Sequence, residues 1–182
     1  MKKCVAFALA ITALTFISFS SSAQGLNADT VKAQLIKDWQ RAKEYTMDYL
    51  NTMPADKYSA KPVDSIRSFS EQMLHLAAGN EALISLATGK DKIFNNRNIE
   101  KAPGAQSKDS VVYFVTTSYD YAINSIKNTD AAKLGEQVTR GKLSAMRLTL
   151  LLKAFEHQTH HRGQCTIYIR LQGIRPPNER LF

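Results

Sequence analysis

The 182-residue chain has only two cysteines, Cys4 and Cys165. No disulfide framework can hold it together, so its stability has to come from a packed core. An apolar run comfortable in a bilayer is also missing: the stretch from Val5 to Phe19 is interrupted by Thr12, Thr15 and Ser18, and it is shorter than the roughly 20 residues a spanning helix needs. There is no basic block. Lysine and arginine are interleaved with aspartate and glutamate from Lys32 to Arg147, a pattern that describes a solvated surface and argues against a nucleic-acid partner. Strand-length alternation, internal repeats and low-complexity tracts are absent as well. What remains is apolar content of 44%, enough for one domain with a full core.

The first residues read as a secretory signal. Lys2 and Lys3 precede the apolar stretch, and Ser20-Ser21-Ser22-Ala23 supplies small residues where a signal peptidase cuts. Cleavage is expected after Ala23, which divides the chain into a signal peptide, 1–23, and a mature domain, 24–182, that is exported to the periplasm or secreted and has no stable membrane span. Cys4 lies ahead of the apolar run, not behind it, which argues against a lipid anchor. Loss of the two lysines takes the formal charge from +8 to +6. Cys165 is then the only thiol, and no internal disulfide can form.

The mature region reads as all-α, a four-helix bundle with one long crossover connection. Helix one is expected from Ala28 to Asn51, with Val31, Leu35, Trp39, Ala42, Thr46 and Tyr49 at helical spacing. Pro54 and Pro62 mark the segment 53–62 as a loop. Helix two is expected from about Ser65 to Thr88, ending at Gly89. On it His75 shares a line with Ala78, Gly79 and Ala82, small residues that let another helix come close. The polar segment from Lys90 to Gln106 reads as the crossover, and helix three as Lys108 to Lys127. For helix four Ser144 is the expected N-cap, with Leu143 and Leu148 as a hydrophobic staple and Gly173 as the stop.

Three of the four histidines fall within five residues of helix four, at 157, 160 and 161. His157 and His161, at i and i+4, project from one side of a helix and can share one ion, which a third imidazole from a facing helix would complete. Steps of three and four residues from Leu150 pass through Ala154, His157, His161, Gln164, Tyr168 and Leu171, so these two histidines are expected to face the interior. His160 falls on the polar flank with Lys153, Glu156 and Gly163 and is expected at the rim. Two neighbouring histidines buried without a metal would repel when protonated and compete for acceptors when neutral.

The run His157-Gln158-Thr159-His160-His161-Arg162-Gly163-Gln164, followed by Tyr168-Ile169-Arg170-Leu171-Gln172-Gly173 and Pro176-Pro177, resembles the C-terminal helix of DinB-like, YfiT-related proteins. The segment from Ile66 to Leu76, with its lone His75, is similar to that family's second helix. The resemblance implies a four-helix bundle with a divalent ion held by His75, His157 and His161. It also implies relatives that act as thiol-dependent transferases or isomerases. Zinc is the expected ion and nickel the second candidate. Three imidazoles leave a position for water or thiolate, which suits hydrolysis or thiol transfer on a small-molecule substrate; a non-enzymatic metal-binding or ligand-binding bundle is the alternative. A homodimer is compatible with this reading. Glu71 and Glu156 are the nearest carboxylates in sequence, each expected to serve the surface or to support a ligand. Cys165 is expected to be a core thiol, while Arg162 and Arg170 are expected to form ion pairs or to cover apolar surface. With ordinary imidazole pKa values near 6.5, metal affinity is expected to fall between about pH 7 and 5.

Overall fold

A computed structural model describes residues 27–95 and 97–182; the segment read as a signal peptide lies outside the described residues. Helix α1, Ala28–Thr52, opens on Asn27, whose side chain accepts a hydrogen bond from the Asp29 amide at 2.8 Å. Asp29 also places negative charge in the first turn, where the helix dipole favours it. The expected stripe is the buried one: Leu35, Trp39, Ala42, Thr46 and Tyr49 all face inward.

Helix α2, Phe69–Thr88, begins one turn later than the expected Ser65. The reason is a capping box. Ser68 Oγ accepts from the Glu71 amide at 3.2 Å, and Glu71 Oε2 accepts from the Ser68 amide at 2.8 Å, so two of the helix's orphan donors are satisfied here. The preceding loop satisfies two more, since the amides of Phe69 and Ser70 donate to the carbonyls of Ala60 and Tyr58. Gly89, at φ +73°, ends the helix as expected. Helix α3, Lys108–Lys127, starts at Ser107, which caps the Ser110 amide.

Helix α4 spans Arg147–Leu171, and Ser144 is not its cap. Ser144 belongs to an antiparallel hairpin of β1, Gln137–Arg140, and β2, Leu143–Met146, with Val138 opposite Ala145 and Thr139 opposite Ser144. The turn passes through Gly141 at φ +61°, a conformation that favours glycine. This corrects the expectation that no strand is present. Both strands are mostly exposed, so they carry no clear apolar alternation by which to be recognised. Gly173, at φ +72°, follows the end of α4.

The principal contacts run in a ring, α1 to α3 to α2 to α4 and back to α1, with α2 against α4 the most extensive. Trp39, Phe69, Met73, Leu74, Leu76, Tyr119 and Leu151 fill the interior. Trp39 meets the rings of Tyr119 and Phe155 edge-on, each at 5.7 Å. No helix among the described residues is long and apolar enough to cross a membrane.

Candidate metal centre

The packing of α2 on α4 brings His75 beside the histidines of α4. Ring centroids are 5.3 Å apart for His75 and His157, 4.5 Å for His75 and His161, and 4.4 Å for His157 and His161. One ring nitrogen from each lies within 4.8 Å of the others, a group that can hold a metal ion. Two donors on one tetrahedral zinc are about 3.4 Å apart, so inward turns of about an ångström complete the set. His160 is exposed and outside this group, its ring 4.9 Å from that of His161.

The burial of α4 is rotated from the expected seam. Leu150, Ala154, His161 and Tyr168 are buried, but His157 is only partly so, while Gln164 and Leu171 are exposed. The centre of the buried face is the adjacent line of Leu151, Gln158, Arg162, Cys165 and Ile169. The two histidines therefore sit at the edge of the core, where solvent and ligands can reach them. His161 and His160 line a cleft of about 820 Å³, and His157 borders a groove of about 760 Å³ walled by Leu83, Leu152 and Phe155.

His157 owes its position to a glycine. A Cβ on Gly79 of α2 would stand 2.0 Å from His157 Cε1, so no other residue leaves room for the ring where it lies. His157 Nδ1 is buried and has no hydrogen-bond partner. An orphaned buried ring nitrogen is costly in a protein interior, and a metal shared with two other imidazoles would give the ring a partner.

The other two rings are braced. His75 Nδ1 lies 2.8 Å from Glu100 Oε2 and 3.2 Å from Arg67 Nη2, and Arg67 Nε donates to Glu100 Oε1 at 2.7 Å. His161 Nδ1 lies 2.7 Å from Gln72 Nε2 and 3.1 Å from Gln164 Oε1, and the two glutamine amides are themselves hydrogen-bonded. On each ring Nε2 is open to an ion when Nδ1 carries the proton, which His75 can donate to Glu100 Oε2 and His161 to Gln164 Oε1. Gln164 thus bonds across the helix interface to Gln72, and it also reaches His160 Nε2 at 3.1 Å.

Burial, followed by repulsion from His75, His160 and Arg67, lowers the pKa of His157 to about 4. Burial also lowers His161 to about 4, with the neighbouring His157 and His75 next in importance. Burial alone would raise Glu100, but hydrogen bonds from Arg67 and His75 outweigh it and hold the carboxyl below its ordinary value. The hydrogen bond from Lys101, then that from the Ser68 amide, bring Glu71 down to about 2.

Sequence reasoning missed Glu100 and Arg67. Glu100 is 25 residues from His75, in a connection with no periodic pattern, and nothing local to it signals a role. Arg162 also departs from expectation. It is 6% exposed, donates to Gln158 Oε1 at 2.7 Å and lies 4.6 Å above the Tyr45 ring, a buried polar layer that Tyr119 joins by donating to the same oxygen. Arg170 is exposed, and Cys165 is a core thiol whose pKa burial pushes up.

Three solved structures share the architecture. A DinB-like protein from Bacillus cereus superimposes with a TM-score of 0.70 at 17% identity, covering 81% of this chain and 97% of its own. One from Bacillus subtilis has a TM-score of 0.62 at 16% identity, with coverages of 82% and 96%. A conserved protein from Enterococcus faecalis has a TM-score of 0.64 at 16% identity, with coverages of 78% and 96%. At these identities the likeness shows the fold. Among curated proteins none matches the chain. The sequence model of the DinB family matches residues 25–180, and the chain belongs to that family.

Proposed function

We propose that His75, His157 and His161 bind one divalent transition metal, zinc before nickel, and that the chain is a metal-dependent hydrolase of a small molecule. The orphaned Nδ1 of His157, on a ring whose centre lies 5.3 and 4.4 Å from those of the two braced imidazoles, carries the reading. Zinc held by three neutral imidazoles lowers the pKa of a bound water towards neutrality.

Cys165, Glu71 and Glu156 supply neither a reactive thiol nor a free carboxylate base, so in this reading the ion itself activates the nucleophile. Cys165 is buried, with its thiol pushed up, so a thiol would have to come from outside. Glu71, held by Lys101 and the Ser68 amide, is too weak a base to take a proton, and Glu156 is an exposed partner of Lys153. The cleft beside His161 has room for a small ligand. A closed structural site would need a fourth protein donor. Among the described residues the candidate group ends at three histidines, and both oxygens of Glu100 are engaged. Export remains part of the proposal, supported by the basic start, apolar run and small residues of 1–23; a mature N-terminus near Gln24 in the native host supports it, and an intact Met1 ends it.

Calorimetric titration with zinc and nickel, followed by an assay of loaded against apo protein on small esters and amides, tests the proposal. Replacement of His75, His157 or His161 with Ala should each weaken binding by more than the roughly 10–100-fold loss typical of an outer-shell partner. His160→Ala should retain most of the affinity. If His160→Ala abolishes binding in a folded protein while His157→Ala leaves it intact, the ligand assignment is wrong.

A further inference from the structure

One nitrogen of His75 has two neighbours with opposite requirements. Glu100 Oε2, 2.8 Å from Nδ1, belongs to an ionised carboxylate and can only accept a hydrogen bond. Arg67 Nη2, 3.2 Å from the same atom, can only donate. A neutral imidazole cannot satisfy both. With the proton on Nδ1, the ring donates to Glu100 and Nε2 keeps a lone pair. With the proton on Nε2, Nδ1 accepts from Arg67 and Nε2 is closed to any ion. Both bonds open to Nδ1 are charge-assisted, but the carboxylate is nearer, at 2.8 Å against 3.2 Å, and is itself secured by Arg67 Nε at 2.7 Å, so the bond to Glu100 has the better geometry.

We propose that Glu100 is the positioning residue that keeps the proton of His75 on Nδ1, against the pull of Arg67, and so keeps Nε2 available to a metal. This rests on the metal-site reading of the three histidines. Glu100 comes from neither bundle helix at the site but from the 89–107 connection, which makes that connection a working part of the centre. The segment is built to hold it there. Ile99 beside it is buried, and Gln106 Nε2 donates to the Glu100 carbonyl at 2.9 Å while Gln106 Oε1 accepts from Ser70 Oγ of α2 at 2.8 Å. Lys101, the next residue, reaches Glu71 of α2 at 2.8 Å.

The experiment compares wild type with Glu100→Ala, Arg67→Ala and the double variant, by zinc titration and by nitrogen-15 NMR of the imidazoles in apo protein at about pH 8, above the ordinary histidine range. Wild-type His75 should carry its proton on Nδ1. In Glu100→Ala only Arg67 remains at that nitrogen, so the proton should move to Nε2 and zinc affinity should fall roughly 10–100-fold. Arg67→Ala should keep the Nδ1 proton, and removing Arg67 from the Glu100→Ala protein should recover part of the lost affinity. Should Glu100→Ala fail to fold, Glu100→Gln keeps the volume but sets an amide N–H against Arg67, and it should lose affinity in the same direction. Zinc binding by a folded Glu100→Ala within about twofold of wild type, or a proton that stays on Nδ1 in that variant, overturns the proposal. His75→Ala runs alongside: zinc binding unaffected by it defeats the metal reading, while the apo tautomer still decides the role of Glu100.

Discussion

At the scale of single residues, the centre depends on an absence as much as on its donors. Gly79 lets the His157 ring lie against the backbone of α2, and a methyl group there collides with the ring. The imidazole is the movable party, since it ends a rotatable side chain beside an open groove. Gly79→Ala should therefore leave the apo fold intact, or stabilise it by up to about 1 kcal/mol through helix propensity, while weakening zinc binding by an order of magnitude or more. Melting curves of the apo protein and zinc titration separate the two effects. Unchanged zinc affinity would mean that His157 is not held by this contact. The run of small residues near His75 was legible in the sequence, but which histidine exploits it was not, because that depends on how far α4 rotates against α2.

At the scale of elements, the start of α2 sets the register of His75, two turns further on. Ser68 and Glu71 cap each other, and this S-x-x-E signature is present in the sequence three residues beyond the expected start at Ser65. Ser65 is also a capping residue type, but its successors up to Ser68 are held by the loop instead of entering the helix. Ser68→Ala should destabilise the protein by about 1 kcal/mol, a fall in melting temperature of roughly 2–4 °C for a chain of this size. Glu71→Gln should cost less, since glutamine can also serve in the capping box. Thermal unfolding followed by circular dichroism checks both, and a Ser68→Ala protein as stable as wild type would show that the cap contributes nothing. The start of α4 was harder to place. The residues at 143–148 look like a staple, yet pairing of β2 with β1 takes Leu143 to Met146 out of the helix.

At the scale of the whole molecule, burial changes the pH at which the centre responds. Histidines 157 and 161 titrate at about 4 in the fold, against about 6.5 in an unfolded chain. Above about pH 6.5 both states hold these rings neutral and stability is at its full value. Between about 6.5 and 4 the unfolded chain takes up protons that the fold refuses, so stability declines as pH falls, and below about 4 these two groups add no further loss. Protons compete with an ion for the same nitrogens only once the rings can accept them. The loss of metal affinity from these two ligands thus moves from the expected window of about pH 7 to 5 down towards about 4. Melting curves of apo and zinc-loaded protein at about pH 7, 5.5 and 4 should show the apo protein weakening first, with zinc still protective at about 5.5. His157 and His161 rings that both take up protons near pH 6.5 in the folded apo protein, read by nitrogen-15 NMR, would show that neither is shielded in this way.

Helix period, caps and glycine stops act over a few residues, so the four helices, most of their boundaries and the placing of His157 and His161 on one side of α4 can be read locally from the amino acids. The tertiary structure decided everything that depends on two segments meeting. It rotated α4 so that Gln158, Arg162 and Cys165 fill the centre of its buried face and the histidines lie at the edge. It also delivered Glu100 to His75, Gln72 to His161 and the Gly79 backbone to His157. Those contacts come from closing the bundle around a core larger than any one helix, and a pattern that repeats every three or four residues carries no record of the partner across the interface.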